Sequence, residues 1–154
     1  MAESLATKIE RWKFNLFPAY RGTGARVVSI RDDWRHVRIK VPLSRRTRNY
    51  VGTIYGGSLY GGVDPIYMLI LIKNLGRQYV VWDKAALIRF KRPGKETLYA
   101  DFEVTQEEIT QIKLALRTQK SVDRLYTVEL KDESGTVHCV IEKTLYIANK
   151  IQEV

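Results

Sequence analysis

The hydrophobic pattern divides the chain into elements of two kinds. Leu5, Ile9, Trp12 and Leu16 recur at i, i+4, i+7 and i+11, the spacing of an amphipathic helix, and Pro18 stops it, so residues 1–17 are predicted as an N-terminal helix. Two alternating segments follow, 26–31 and 35–41; in the second, Val37, Ile39 and Val41 share one face and His36, Arg38 and Lys40 the other, which predicts strands with one wet face. The pattern then changes. NYVGTIYGGSLYGGVDPIYMLILI, residues 49–72, is glycine-rich at first and continuously apolar afterwards, and its length favours a buried helix over a buried strand, with Gly76 as its stop. Residues 79–92 and 97–104, joined by Pro-Gly-Lys-Glu, read as a long hairpin. Thr105 and Glu108 form a capping box ahead of Ile109, Ile112 and Leu116, a short amphipathic helix. Strands over 124–131 and 136–150, joined by Asp132-Glu133-Ser134-Gly135, close the chain.

A buried helix followed by antiparallel strands implies an α+β fold in which a sheet wraps around that helix, with a second sheet face free to meet another subunit. At 154 residues there is room for one core, and no linker or repeat divides the chain, so 1–154 is expected to be a single domain.

Composition narrows the chemistry. Cys139 is the sole cysteine and His36 and His138 the two histidines, so neither an intrachain disulfide nor a Cys/His metal site can be assembled; no cofactor is indicated. The first residues carry scattered charges and no apolar core of a signal peptide, and the longest apolar run is far short of the ~20 residues of a membrane span, which points to a cytoplasmic setting. The net charge of +9 favours anionic partners. Arg45, Arg46 and Arg48, and Arg89, Lys91, Arg92 and Lys95, form two basic clusters suited to coenzyme A phosphates, or simply to solvation. No RNA-binding motif accompanies the charge, so nucleic acid is not the expected partner.

The informative stretch is Asn49-Tyr-Val-Gly-Thr-Ile-Tyr55-Gly56-Gly57, followed by Asp64. It resembles the hotdog acyl-CoA thioesterases of the phenylacetyl-CoA thioesterase type, in which an Asn precedes a His-Gly-Gly and a helical acid follows at the same spacing; here Tyr55 stands where that group has His. A wider likeness to the tetrameric acyl-CoA thioesterases of the hotdog fold covers most of the chain, including Arg48-Asn49, Gly52-Thr53, Asp64-Pro65, Trp82-Asp83-Lys84-Ala85 and Leu145-Tyr146-Ile147. The resemblance implies a hotdog fold with its central helix over about 56–75. It also implies hydrolysis of an acyl-CoA or related thioester in a homodimer or homotetramer of the kind used in fatty acid metabolism. It assigns the oxyanion donor to the Gly57 N–H, the general base or nucleophile to Asp64, and the orienting role to Asn49. Tyr55 and Gly56, with Arg89, Lys91 and Arg92, would contact substrate. A helix N-terminus suits the oxyanion because its N–H groups are free and its dipole is positive there.

Each residue also has a local reading. Asp64 before Pro65 can be an N-cap with proline at the first helical position. If the helix instead begins near Gly56, Pro65 lies inside it and kinks it beside Gly61 and Gly62. Gly56-Gly57 can be a tight turn, and Asn49 a turn residue that satisfies its own backbone. A phenol cannot replace the imidazole of the family as a base near neutral pH. The substitution at Tyr55 therefore keeps a second function open, a non-catalytic acyl-CoA or lipid-binding hotdog protein.

Overall fold

A computed structural model describes residues 3–150. In chain order the elements are α1 (Leu5–Leu16), α2 (Pro18–Gly22), β1 (Arg26–Ile30), β2 (His36–Val41), α3 (Gly56–Val63), α4 (Ile66–Leu75), β3 (Tyr79–Phe90), β4 (Leu98–Glu103), α5 (Gln106–Ala115), β5 (Ser121–Lys131) and β6 (Val137–Asn149). The strands form one antiparallel sheet in the order β1-β2-β4-β5-β6-β3. The apolar helix pair α3–α4 lies against it. Leu59, Val63, Ile66, Tyr67, Ile70, Leu71 and Leu75 are buried with the inward residues of the strands, and the Tyr67 ring meets Phe102 edge-on at 5.0 Å and stacks on Tyr126 at 4.7 Å. The sheet around a buried helix is what the hydrophobic pattern predicts, and it is the hotdog architecture that the resemblance implies.

The central helix is one path with a kink. Asp64 has φ −46° and ψ −53°, and its N–H donates to the Tyr60 carbonyl at 2.8 Å; it is a residue of the helical path and its side chain caps nothing. Pro65 has no N–H to give, and the helix bends where the proline falls. The buried Tyr20 hydroxyl donates to the Gly62 carbonyl beside the kink at 2.9 Å. Gly62 also lets the helix approach the sheet, since a Cβ there would lie 2.7 Å from that of Ala25.

The expected hairpin of residues 79–92 with 97–104 does not form. β3 runs along β6 from Tyr79↔Asn149 to Phe90↔Cys139, while β4 runs along β2 from His36↔Glu103 to Val41↔Leu98. The Pro-Gly link carries the chain across the end of the sheet instead. Lys91 and Arg92 N–H both donate to the His138 carbonyl, at 2.9 and 3.1 Å, and Ile54 N–H donates to the Gly94 carbonyl at 2.9 Å. A turn signal specifies a local bend but not which long strand the chain joins after it. β6, with 13 residues, gives β3 a longer apolar partner than the six-residue β4.

α1 is also turned opposite to the usual arrangement. An apolar stripe on a surface helix ordinarily faces the core. Here Leu5, Ile9, Trp12 and Leu16 face outward, and the polar side packs on β1. Asn15 accepts from Val27 N–H at 2.8 Å and donates to Val27 carbonyl at 2.9 Å, and the Glu3 carboxylate accepts from Ile30 N–H at 3.1 Å. These side chains satisfy the backbone groups of an edge strand that would otherwise be left open. The capping box of α5 is half made: Thr105 accepts from Glu108 N–H at 3.1 Å, while the Glu108 carboxylate is held by Tyr126 at 3.0 Å and by Arg124.

The β5–β6 turn supplies a first prediction. Asp132 accepts from Ser134 N–H, Ser134 hydroxyl and Thr136 N–H and pairs with His138 at 2.9 Å. The Ser134 bond, then the His138 bond, hold its carboxyl down to about 2. A carboxyl depressed in the folded state contributes stability above its unfolded value, and that contribution is lost as pH falls through the folded one. Urea midpoints recorded downward from about pH 5 are expected to fall less steeply for Asp132→Asn than for wild type. Parallel curves would remove Asp132 from the acid response.

Candidate functional site

α3 begins without a side-chain cap. Tyr55, at its N-cap, gives its carbonyl to Ser58 and Leu59 N–H at 3.0 and 3.2 Å, and its own N–H goes to the Thr47 carbonyl at 2.6 Å. Among the described residues the N–H groups of Gly56 and Gly57 find no acceptor. They are the free donors of a helix start, where the dipole is positive. Each glycine packs under an aromatic ring: a Cβ on Gly56 would lie 2.9 Å from Phe90 Cζ and one on Gly57 would meet the Tyr55 ring, both rings being exposed and free to turn aside. Next to this start lies an open cleft of about 400 Å³ whose lining includes Asn49, Gly56, Leu59, Phe90, Lys91 and Arg92. The link that replaces the expected hairpin therefore brings two cations to the helix N-terminus.

The structure places the other sequence candidates differently. Asn49 is at the cleft, but its side chain closes its own loop: Oδ1 accepts from Val51 and Thr53 N–H at 3.1 and 3.0 Å and Nδ2 donates to Thr53 Oγ1 at 2.9 Å. The turn-residue reading of Asn49 accounts for all these bonds. Arg89 is outside the cleft lining, with its guanidinium 3.7 Å from Glu142. Tyr55 is largely exposed.

Asp64 belongs to a cluster that the sequence reading did not assemble. Lys143, on β6, is fully buried and its ammonium reaches Asp64 Oδ1 at 2.7 Å, Asp83 Oδ1 at 2.9 Å and the Tyr60 hydroxyl at 3.2 Å. Three ammonium protons thus meet three oxygens. Tyr60, one turn before Asp64, donates to the same Oδ1 at 2.9 Å. Asp64 Oδ2 has no partner among the described residues and its side chain is 45% exposed, so one carboxylate oxygen is anchored and the other is free to meet a ligand. Desolvation pushes Asp83 above the ordinary carboxylate value; the Lys143 bond pulls against that rise and the Asp64 charge adds to it. The Lys143 ammonium is itself held above its ordinary value: burial opposes its charge, and bonds to Asp64, Asp83 and Tyr60 outweigh burial.

Strand parity is the signal that could have found this cluster. Cys139, Ile141, Leu145 and Ile147 are the buried face of β6, and Lys143 occurs in that same register. A lysine in the apolar register of a strand requires an anionic partner across the core. Along the ideal rise of ~1.5 Å per residue, Gly57 and Asp64 lie about 10 Å apart on nearly the same helix face.

A Pseudomonas aeruginosa protein of unknown function, described as a probable thioesterase, superposes with a TM-score of 0.85 at 19% identity, over 96% of this chain and 99% of its own. A thioesterase from Haemophilus influenzae does so with a TM-score of 0.70 at 14% identity, over 98% of this chain and 96% of its own. No curated protein matches the sequence. At these identities the likeness concerns the fold, and the shared fold is the hotdog. Residues 7–147 match the family described as Domain of unknown function (DUF4442), and the chain belongs to that family.

Proposed function

We propose that the protein hydrolyses an acyl thioester, with an acyl-CoA as substrate. The observation that carries this reading is the uncapped helix start: two unpartnered glycine N–H groups, of which Gly56 lines a cleft lipped by Lys91 and Arg92 and Gly57 follows it outside that lining. In the proposed reaction the thioester carbonyl oxygen meets the Gly57 N–H, and the free oxygen of Asp64 takes a proton from water. The hydroxyl adds to the carbonyl carbon. Collapse of the tetrahedral oxyanion then expels the thiolate, which recovers the proton from Asp64. One preorganised donor of this kind contributes about 10²–10³ in rate.

Gly57 and Asp64 of one chain are too far apart to serve one carbonyl, so the reading places Asp64 of a facing subunit at the cleft. The exposed Tyr50, Val51, Tyr55 and Phe90 near the helix start and the open edge of β3 support a homodimer, or two dimers paired. A folded monomer at micromolar concentration by light scattering would count against it.

The test is release of free thiol from a panel of acyl-CoAs that differ in chain length, branching and aromaticity. Turnover of one class establishes the reaction and names the substrate. Saturable binding without thiol release would make the protein a non-catalytic acyl-CoA carrier, consistent with Tyr55 in place of His.

The cations at the lip give a second expected outcome. Phosphates of coenzyme A are held alike in ground and transition states, so Lys91→Ala with Arg92→Ala should raise KM by roughly tenfold or more while kcat changes little. Arg89→Ala, outside the cleft, should change KM less. Equal responses of acyl-CoA and acyl-pantetheine to the double substitution would remove the phosphate role.

A further inference from the structure

The outward face of α1 has chemistry that the proposed reaction does not use. Leu5, Ile9, Trp12 and Leu16 are 75%, 49%, 65% and 63% exposed, and Phe17, just beyond the helix, is 58% exposed. At 100° per residue the first four fall within about 60° of one another, a narrow apolar ridge along the full helix. Lys8 and Lys13 flank that ridge on opposite sides. At its C-terminal end a cleft of about 630 Å³ is lined by Trp12, Leu16, Arg21, Arg26, Arg45 and Arg46, among others. Among the described residues none of Lys8, Lys13, Arg21, Arg26, Arg45 or Arg46 makes an ion pair. The acids of this helix region are engaged on its inner side: Glu3 with Arg11 at 2.9 Å, and Glu10 with Lys73 at 2.7 Å and Trp34 Nε1 at 2.6 Å. The ridge is thus apolar with cationic flanks, and Asp32, which accepts from Ser4 N–H at 2.6 Å, is an exposed acid at its N-terminal end.

We propose that this face docks the protein on a bilayer rich in anionic phospholipid. The helix would lie in the plane of the interface, with Leu5, Ile9, Trp12 and Leu16 below the headgroups and Lys8 and Lys13 extended sideways to phosphates. The arginines around the adjacent cleft continue the cationic surface beyond the helix. Charge decides between this occupant and a second copy of the chain. A self-paired interface would bring the same unpaired cations against their own counterparts, whereas anionic headgroups neutralise them. Among the described residues no helix is long and apolar enough to cross a membrane, so the contact is peripheral.

Co-sedimentation with phosphatidylcholine vesicles, with and without phosphatidylglycerol, tests the assignment. Wild type is expected in the pellet only with the anionic lipid, and added salt should release it. Two variants of exposed positions separate the contributions, each checked for native circular dichroism: Ile9→Gln with Leu16→Gln, and Lys8→Glu with Lys13→Glu. Each should weaken binding by roughly tenfold or more, the second by reversing charges that face the headgroups. The proposal is overturned if wild type stays in the supernatant with both vesicles, if it binds phosphatidylcholine equally well, or if both variants bind as wild type does. It is also overturned if Ile9→Gln with Leu16→Gln lowers the mass in light scattering and no vesicle binding is found, because the ridge is then an interface between copies.

Discussion

Asp64→Asn is expected to lower acyl-CoA turnover by ~10²–10⁴, the usual contribution of a positioned acid or base, while the protein stays folded. The asparagine oxygen can still accept from Lys143 and Tyr60, which hold Oδ1 now at 2.7 and 2.9 Å. What disappears is the carboxylate's ability to take a proton at the oxygen that has no partner. Asp83→Asn is the matched control, because it also removes one carboxylate from Lys143, at 2.9 Å, but not the proposed base. If Asp64 serves only as a counter-ion, the two variants should resemble each other: some stability lost, and turnover within severalfold of wild type. A large kcat loss confined to Asp64→Asn, with KM little changed, assigns the proton transfer to that carboxylate. Equal kcat values for the two variants would withdraw it.

Much of the fold was legible because a few segments allow one solution. Residues 56–75 are too apolar to be wet and too long for one strand, and Pro65 inside them does no more than kink the path, so the central helix and the sheet around it follow. The pairing of β3 was not legible. Pro93-Gly94 signals a bend equally well whether the chain folds back or crosses to β6, and the choice rests on contacts far apart in sequence. The orientation of α1 was hidden for a related reason: Asn15 and Glu3 look like solvent-facing residues until the open edge of β1 gives their side chains backbone groups to satisfy. At the site, Gly56-Gly57 announced the helix start, but the cations that reach its cleft depend on that same unforeseen crossing. Asn49 was ambiguous from the sequence, and its bonds within the 49–53 loop are those of a turn. Lys143 was legible in principle from its register in β6, and its partners Tyr60, Asp64 and Asp83 are 83, 79 and 60 positions away.

That buried ammonium carries the other large expected effect. Lys143→Met keeps the length of the side chain in a site with no exposed surface and removes the one cation between Asp64 and Asp83. Loss of one partner from a fully buried pair costs ~3–5 kcal/mol, and because Asp64 is 45% exposed and can be hydrated, about 2–3 kcal/mol is expected here. The penalty should depend on pH. Asp83 already titrates above its ordinary 3.8 because of desolvation, and without Lys143 the pull that opposes this rise is gone. A carboxyl raised in the folded state binds more protons there than in the unfolded chain, so stability falls as pH rises through that range. The deficit of Lys143→Met is therefore full at neutral pH and shrinks as acid protonates Asp83. At the alkaline end the ammonium, raised above 10.5 in wild type, contributes below its unfolded value and loses that contribution as pH rises through the folded one, so the two proteins should converge again. Adding Asp83→Asn to Lys143→Met removes the stranded charge and should recover about 1 kcal/mol rather than cost more, a coupling that urea unfolding of the two single variants and the double variant measures directly. Additive losses at neutral pH, with no acid recovery, would show that Lys143 contributes by packing alone.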